Sequence, residues 1–332
     1  MNNESVMKIS NLKKYFPIKV GFIKSLASKE IPAVRAVDDI SFDIRKEEIF
    51  GLVGESGCGK TTTGRLTIRL LEPTEGSVFF EGKDLAVVPN DVMRKLRQKL
   101  QIVFQDPYES LNPRMSVFDI ISEPLHIQNI TASEEQTRDR VHKVMEEMGL
   151  VPPEEFLYRF PHEISGGQRQ RVAIARAFVL GPEFIVADEP VSMLDASIRT
   201  QVLKLIKKLV KQFHVSFLYI THDIATSRHM CNRLAVMYLG KIVEMGPTES
   251  VIKNPFHHYT DALIAAVPVP DPTARRIEVV IKGEVPSAFN PPPGCRFHTR
   301  CPRAQDICKK EEPELIDLEK ERYVACHFPL GK

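Results

Sequence analysis

The chain has 332 residues, 43% of them hydrophobic and 27% charged, with a formal net charge of +2. This is the composition of a globular protein with ample length for a core and room for two domains, and it offers no electrostatic case for nucleic acid. Six cysteines make no dense disulfide scaffold, no apolar run approaches the ~18 residues that span a bilayer, and the start MNNESVMKIS lacks an apolar signal core, so the expectation is a chain on the cytosolic side.

In chain order, ISFDIRKEEIFGLV (40–53) reads as two short strands joined by a charged turn. GSVFFEGKDL (76–85) reads as a hairpin turned at Glu81-Gly82. LQIVFQ (100–105) is an apolar strand, and DPYESLNPR (106–114) a loop. SEEQ (133–136) has the form of a capping box and opens a helix with Val141, Val144, Met145 and Met148 on one face. Residues 107 to about 180 therefore read as helical. FIVA (184–187) and VSFLYI (215–220) are continuously apolar, as strands of a buried parallel sheet are. A helix across 198–213 joins them, its basic run KLIKKLVKQ (204–212) a solvated face. RLAVMYLGKIVEMG (233–246) reads as a closing hairpin. VPVPDPTARR (267–276) and NPPPG (290–294) place a domain boundary near 266, and the residues beyond it are too few for a strong core of their own.

GESGCGKTT (54–62) fits G-x-x-x-x-G-K-[ST]. It follows a strand and precedes a helix-compatible run, the context that this phosphate-binding motif requires. Its glycines let backbone N–H groups turn toward phosphate oxygens. Lys60 brings a cation, Thr61 a hydroxyl for Mg2+, and the helix start its partial positive charge. Cys58 fills an unconstrained place in the loop, and its side chain is given no role. A loop of this kind needs a carboxylate for the metal at the end of a strand. Asp188 meets that need, and Glu189 beside it can act as general base toward water. Gln105, ending a strand, can reach metal or water. His222, after the strand that ends YIT, is expected at the edge of the sheet where ligands bind, there to orient water or the γ-phosphate.

ISGGQRQR (164–171) is a second anion grip. Ser165 is a natural N-cap, and the amides of Gly166 and Gly167 join the helix dipole. One nucleotide cannot easily use both grips of one chain. In a head-to-tail dimer each ATP lies between the glycine loop of one subunit and the SGGQ helix of the other.

GESGCGKTT, FQDP, ISGGQRQR, ADEP, SMLDAS and THD stand in the order and spacing of an ABC-type ATPase, and residues 6 to 265 resemble that family. The resemblance implies that Gly54, Ser56, Gly57, Cys58, Gly59, Lys60, Thr61 and Thr62 line the nucleotide. It implies the same for Ser165, Gly166, Gly167, Gln168 and Asp195 from the signature and the SMLD segment, with Tyr15 stacked on adenine. Ile164 replaces the usual Leu, and SMLD the commoner SALD. An apparent insert at 17–33, the segment QDPYESLNPRM and the cysteine-bearing tail resemble the ATP-binding subunit of bacterial oligopeptide and dipeptide permeases. That resemblance implies an ATP-hydrolysing importer subunit at the cytoplasmic face of the inner membrane. Its implied partners are a sister ATP-binding subunit, two membrane-spanning permease subunits and, indirectly, an extracytoplasmic solute-binding protein, with no nucleic acid. Relatives carry nickel or other solutes, and solute choice lies in other chains. A soluble ABC ATPase and a small-molecule kinase are the other readings. The first usually carries two cassettes or a coiled-coil arm, and the second has no use for a second chain's grip.

Cys295, Cys301, Cys308 and Cys326 follow C-x5-C-x6-C-x17-C. The spacing is neither that of a zinc ribbon nor that of a ferredoxin. It leaves open a metal site and free thiols, and the compartment argues against disulfides. His298 and His327 allow a mixed zinc site; the family resemblance favours a [4Fe–4S] cluster. The readings combine into an α/β fold: a P-loop NTPase (RecA-like) core sheet with an antiparallel β subdomain and a helical subdomain over 107–180. A nucleotide-binding domain covers 1–265, and a small Cys-rich C-terminal domain covers 266–332. ATP binding is expected to be independent of that tail.

Overall fold

The structure is a computed structural model, and it describes residues 4–18, 33–267, 281, 283–319 and 321–331. The expected insert at 17–33 and the proline-rich stretch after 267 lie almost wholly outside the described residues. The strands are β1 Ser5–Pro17, β2 Ala33–Arg45, β3 Ile49–Val53, β4 Glu75–Phe80, β5 Lys83–Asp84, β6 Leu100–Val103, β7 Phe184–Asp188, β8 Ser216–Thr221, β9 Arg233–Tyr238, β10 Lys241–Pro247, β11 Ile316–Glu319 and β12 Arg322–Val324. Two compact units are built from them. One contains residues 4–6, 44–48 and 87–219; the other contains the described parts of 7–43, 49–86 and 220–332.

In the first unit the strand order is β8-β7-β6. β6 and β7 run parallel, with Leu100 opposite Phe184 and Val103 opposite Ala187. Every residue of β7 and β8 is buried. That burial explains why these strands read as unbroken apolar runs rather than alternating ones. The helix Ala196–Phe213 buries Val202, Leu205, Ile206, Leu209 and Val210, while Lys204, Lys207 and Lys208 stay exposed, so the basic run is a solvated face. Helices Val117–Gln128, Glu134–Glu147 and Gly166–Phe178 fill the segment expected to be helical. Ser133 caps the second of them, its hydroxyl accepting from the Gln136 amide at 3.2 Å. The return bond of Gln136 goes to the Ala132 amide, one residue before the cap. Where a loop was expected, Pro107–Ser110 forms one helical turn. The Asp106 carboxylate caps it, and Pro107 takes the first position, where a missing N–H costs nothing.

In the second unit an antiparallel sheet has the order β2-β1-β4-β5. Its expected hairpin turns at Glu81 and Gly82, with φ of +48° and +76°, the left-handed pair that a two-residue turn requires. The other strands of this unit run β11-β12-β10-β9-β3, with β3 and β9 parallel. β9 and β10 form the closing hairpin, turned at Leu239-Gly240.

The cysteine-bearing tail adds to this layer. β12 pairs with β10, placing Val324 opposite Glu244. Phe297 is 1% exposed and packs with Leu234, Val236, Tyr238, Val251 and Tyr259 in one cluster. Its ring lies 5.3 Å from that of Tyr238 and 5.4 Å from that of Tyr259. Inside, Arg322 Nη2 meets Glu244 Oε1 at 3.1 Å, and the amides of Phe256 and His257 also donate to that carboxylate. The tail thus uses the core of the β9–β10 layer, as a segment too short for its own core must. No helix among the described residues is long and apolar enough to cross a membrane.

Candidate nucleotide site

In the second unit, β3 is buried throughout and delivers the chain into the glycine loop. Gly59, at φ +107°, stands at the N-cap of the helix Lys60–Thr67. A Cβ there would lie 2.1 Å from the carbonyl oxygen of Ala36, so only glycine lets the loop pass so close. Lys60 is 5% exposed. Its Nζ donates to the carbonyls of Gly54 and Glu55 at 2.8 and 3.0 Å, folding the ammonium into the hollow of the loop. Cys58 is buried and free, and burial raises its thiol pKa. Its carbonyl accepts the Gly240 amide at 2.9 Å, fixing the loop to the β9–β10 turn. Ser56 and Gly57 lie along the loop, and Thr61 and Thr62 open the helix.

Tyr15 is half-buried near the end of β1. Its hydroxyl donates to Asp38 Oδ1, and its amide donates to Thr74 Oγ1 at 3.0 Å. The Arg35 guanidinium lies 5.7 Å from its ring centroid. Burial and the Asp38 carboxylate raise the phenol pKa well above its ordinary value, so the ring stays neutral. His222 is exposed, directly after β8. A tight turn presents it: the Asp223 amide donates to Thr221 Oγ1 at 3.0 Å, and the Asp223 carboxylate caps the next helix at Ala225 and Thr226.

In the first unit, Asp188 ends β7 and is 4% exposed, with Glu189 next at φ +44°. The register of β6 against β7 brings the residues past their ends together. Gln105, two after Val103, donates from Nε2 to Glu189 Oε2 at 3.1 Å. The turn is held by Ser192, whose amide and hydroxyl donate to the Glu189 carbonyl at 3.2 and 3.1 Å. Ser165 caps the helix Gly166–Phe178. It accepts from the Gln168 amide at 3.3 Å while Gln168 Oε1 accepts from the Ser165 amide at 2.8 Å, a complete capping box. Gly167 is buried; a Cβ there would stand 2.5 Å from Ile198 Cγ2, so the start of this helix packs against the helix that Asp195 caps. Asp195 accepts from the Ile198 amide at 3.0 Å, the main cause of its lowered pKa.

The four late cysteines are free. The Cys295 amide donates to the Cys308 carbonyl at 2.8 Å. Burial pushes the Cys295 thiol up to about 12 and that of Cys326 to about 11, and each is raised further by neighbouring thiols of the set. Among the described residues, however, no group of three or more His, Cys, Asp or Glu is arranged to hold a metal ion. His298 Nδ1 pairs with the Cys295 carbonyl and His327 Nε2 with that of Glu311, both through ring nitrogens.

Sequence reading missed the groups that brace the second unit's loop. Arg300 grips the Glu55 carboxylate with both terminal nitrogens, at 2.7 and 3.0 Å. Tyr259 Oη accepts the Glu55 amide at 2.8 Å. Arg296 donates to Asp38 Oδ2 and to the Leu239 carbonyl. The one available signal was the i, i+4 spacing of two arginines around Phe297 in CRFHTRC.

A buried strand, a glycine loop opening a helix, and an acidic pair closing a second buried strand define a P-loop NTPase. The ABC transporter family model matches residues 37–192, and that of the oligopeptide/dipeptide transporter C-terminal region matches residues 243–308. The oligopeptide transport ATP-binding protein AppF of Bacillus subtilis (strain 168) is 46% identical over 330 residues, 98% of each chain. The probable peptide ABC transporter ATP-binding protein y4tS of Sinorhizobium fredii is 46% identical over 98% of this chain and 90% of its own. Among solved structures, the chain is similar to the dimeric post-hydrolysis state of the ATP-binding cassette MJ0796 bound to ADP and Pi. There the identity is 27% and the TM-score 0.62, with 73% of this chain and 98% of that one covered. CbiO1 of Clostridium perfringens, part of the ABC transporter complex cbiONQ, matches at 26% identity and TM-score 0.63, covering 76% of this chain and 92% of its own. The chain belongs to the ABC transporter family: it is an ABC-type ATPase, working with ATP and Mg2+.

Proposed function

We propose that this ATPase energises the import of oligopeptides or dipeptides, bound at the cytoplasmic face of the inner membrane to two permease subunits and a sister ATP-binding subunit. The observation that carries the reading is the match of residues 243–308 to the oligopeptide/dipeptide transporter C-terminal region, joined to full-length likeness to peptide-transport relatives. Pull-down of the tagged chain from membranes is expected to retain two membrane-spanning subunits, and ATP hydrolysis by that complex is expected to rise with peptide-loaded binding protein. A complex stimulated by nickel alone would replace the peptide reading.

Within the chain, Gly54–Thr62 receives the phosphates, with Lys60 as the cation and Thr61 as a Mg2+ ligand. The preformed hollow around Lys60 supports this. Tyr15 meets the adenine. Asp188 and Gln105 serve the metal, Glu189 takes the proton of the attacking water, and His222 orients it. Ser165, Gly166, Gly167, Gln168 and Asp195 serve the ATP held by the partner chain; the similar cassette MJ0796 is dimeric with ADP and Pi bound. Ser165→Arg keeps the monomer's ATP affinity within about threefold of wild type and removes ATP-driven dimerisation. Light scattering in a Glu189→Gln background checks this, and a collapse of monomer affinity would end the in-trans reading.

Residues 1–265 form the nucleotide-binding domain, with its helical subdomain over 107–180, and 266–332 a small Cys-rich C-terminal domain. Cys295, Cys301, Cys308 and Cys326 would hold a [4Fe–4S] cluster as a structural staple. The mutual influence of their free thiols supports this, and thiolates are the ligands such clusters take. The four sulfurs must still draw together, because the described residues hold no preformed metal-ligand set. Protein purified without oxygen is expected to be brown and to contain about four iron and four sulfide per chain. Cys308→Ser removes the colour. Colourless anaerobic protein with stoichiometric zinc would replace the cluster by a zinc site.

A further inference from the structure

Two buried residues of the tail carry charge into the second unit, and one of them reaches the glycine loop. Arg296 and Arg300 are 6% and 7% exposed, a degree of burial that arginine tolerates only when paired. Arg296 serves Asp38, the carboxylate that also holds the Tyr15 hydroxyl. Arg300 serves Glu55, which belongs to the phosphate loop itself. The two sides of Glu55 have opposite employment. Its carbonyl accepts the Lys60 ammonium, and its carboxylate lies in the fork of Arg300. A bare carboxylate there would oppose the charge of a polyphosphate and compete for Lys60. Bidentate arginine pairing removes both problems, because the fork fixes the geometry as well as cancelling the charge.

We propose that Arg300, supplied by the cysteine-bearing tail, is a positioning residue for ATP binding: it neutralises Glu55 and leaves Lys60 as the effective charge of the phosphate loop. This rests on reading Gly54–Thr62 as the phosphate cradle. The role differs from that of a mechanical latch. A latch fails when either partner is lost. A neutraliser is needed only while Glu55 is charged.

The test is titration of the full chain with a non-hydrolysable ATP analogue and Mg2+. Arg300→Gln weakens binding by about tenfold or more, whereas Glu55→Gln, which leaves the Arg300 cation uncompensated, binds tighter, and the double variant returns to within about threefold of wild type. Arg300→Lys, keeping the charge without the fork, lies between. Equal losses in Glu55→Gln, Arg300→Gln and the double variant would make the pair a latch and overturn the proposal, as would unchanged binding in Arg300→Gln. If thermal melting shows Arg300→Gln unfolded, Glu55→Gln alone decides: tighter binding supports the proposal, and unchanged or weaker binding overturns it. Lys60→Ala, run beside them, separates the two levels. If it leaves analogue affinity intact, the cradle reading fails, independently of how the Arg300 series behaves.

Discussion

Glu189→Gln is expected to leave ATP bound and to lower kcat by ~10²-fold or more. The substitution is isosteric, and the backbone around it is over-determined. Glu189 sits at φ +44°, with its carbonyl held by the Ser192 amide and hydroxyl. Gln105 Nε2 donates to Oε2 at 3.1 Å, and a glutamine oxygen can accept the same bond. What disappears is the carboxylate's capacity to take a proton from water. Loss of a group that acts only in the transition state lowers kcat without weakening substrate binding. The measurement is steady-state hydrolysis alongside nucleotide affinity. Hydrolysis at the wild-type rate would remove Glu189 from the base role. ATP-bound dimers of the variant should also accumulate, because closure no longer leads to turnover.

Lys60→Ala is expected to act on the other parameter, raising the Kd for ATP by ~10²-fold. The buried ammonium is the loop's own cation, and it also bonds the Gly54 and Glu55 carbonyls. Alanine therefore removes an attraction to the phosphates and leaves those carbonyls without this donor. Thermal melting without nucleotide separates the two losses, since the hydrogen bonds contribute to the free protein and the phosphate contact does not. Calorimetry showing unchanged ATP affinity would sink the assignment of this loop as the phosphate cradle.

Much of the local structure of the candidate nucleotide site was legible in the sequence, and for one physical reason: its parts are local. The glycine loop follows IFGLV because a strand buried throughout is apolar to its end, and only glycine at position 59 clears the Ala36 carbonyl. FIVAD announces Asp188 because a strand buried on both faces is apolar until its end. Ser165 and Gln168 announce a helix start because both halves of their capping box lie within one turn. Even the meeting of Gln105 with Glu189 follows from two strand ends, once β6 and β7 are known to be neighbours in register.

The tail was not legible in this way. Its cysteine spacing named a chemistry without a geometry, and its shortness pointed only to a small domain beyond residue 266. Tertiary structure decided where its described residues pack. Phe297 completes the Tyr238–Tyr259 cluster, β12 extends the layer at β10, and Arg300 pairs with Glu55 across 245 positions of sequence. Periodicity and capping report only what a residue does within a turn or a strand. The partner of a buried charge is set by which segments the core draws together, and no local pattern around Glu55 or Arg300 carries that information.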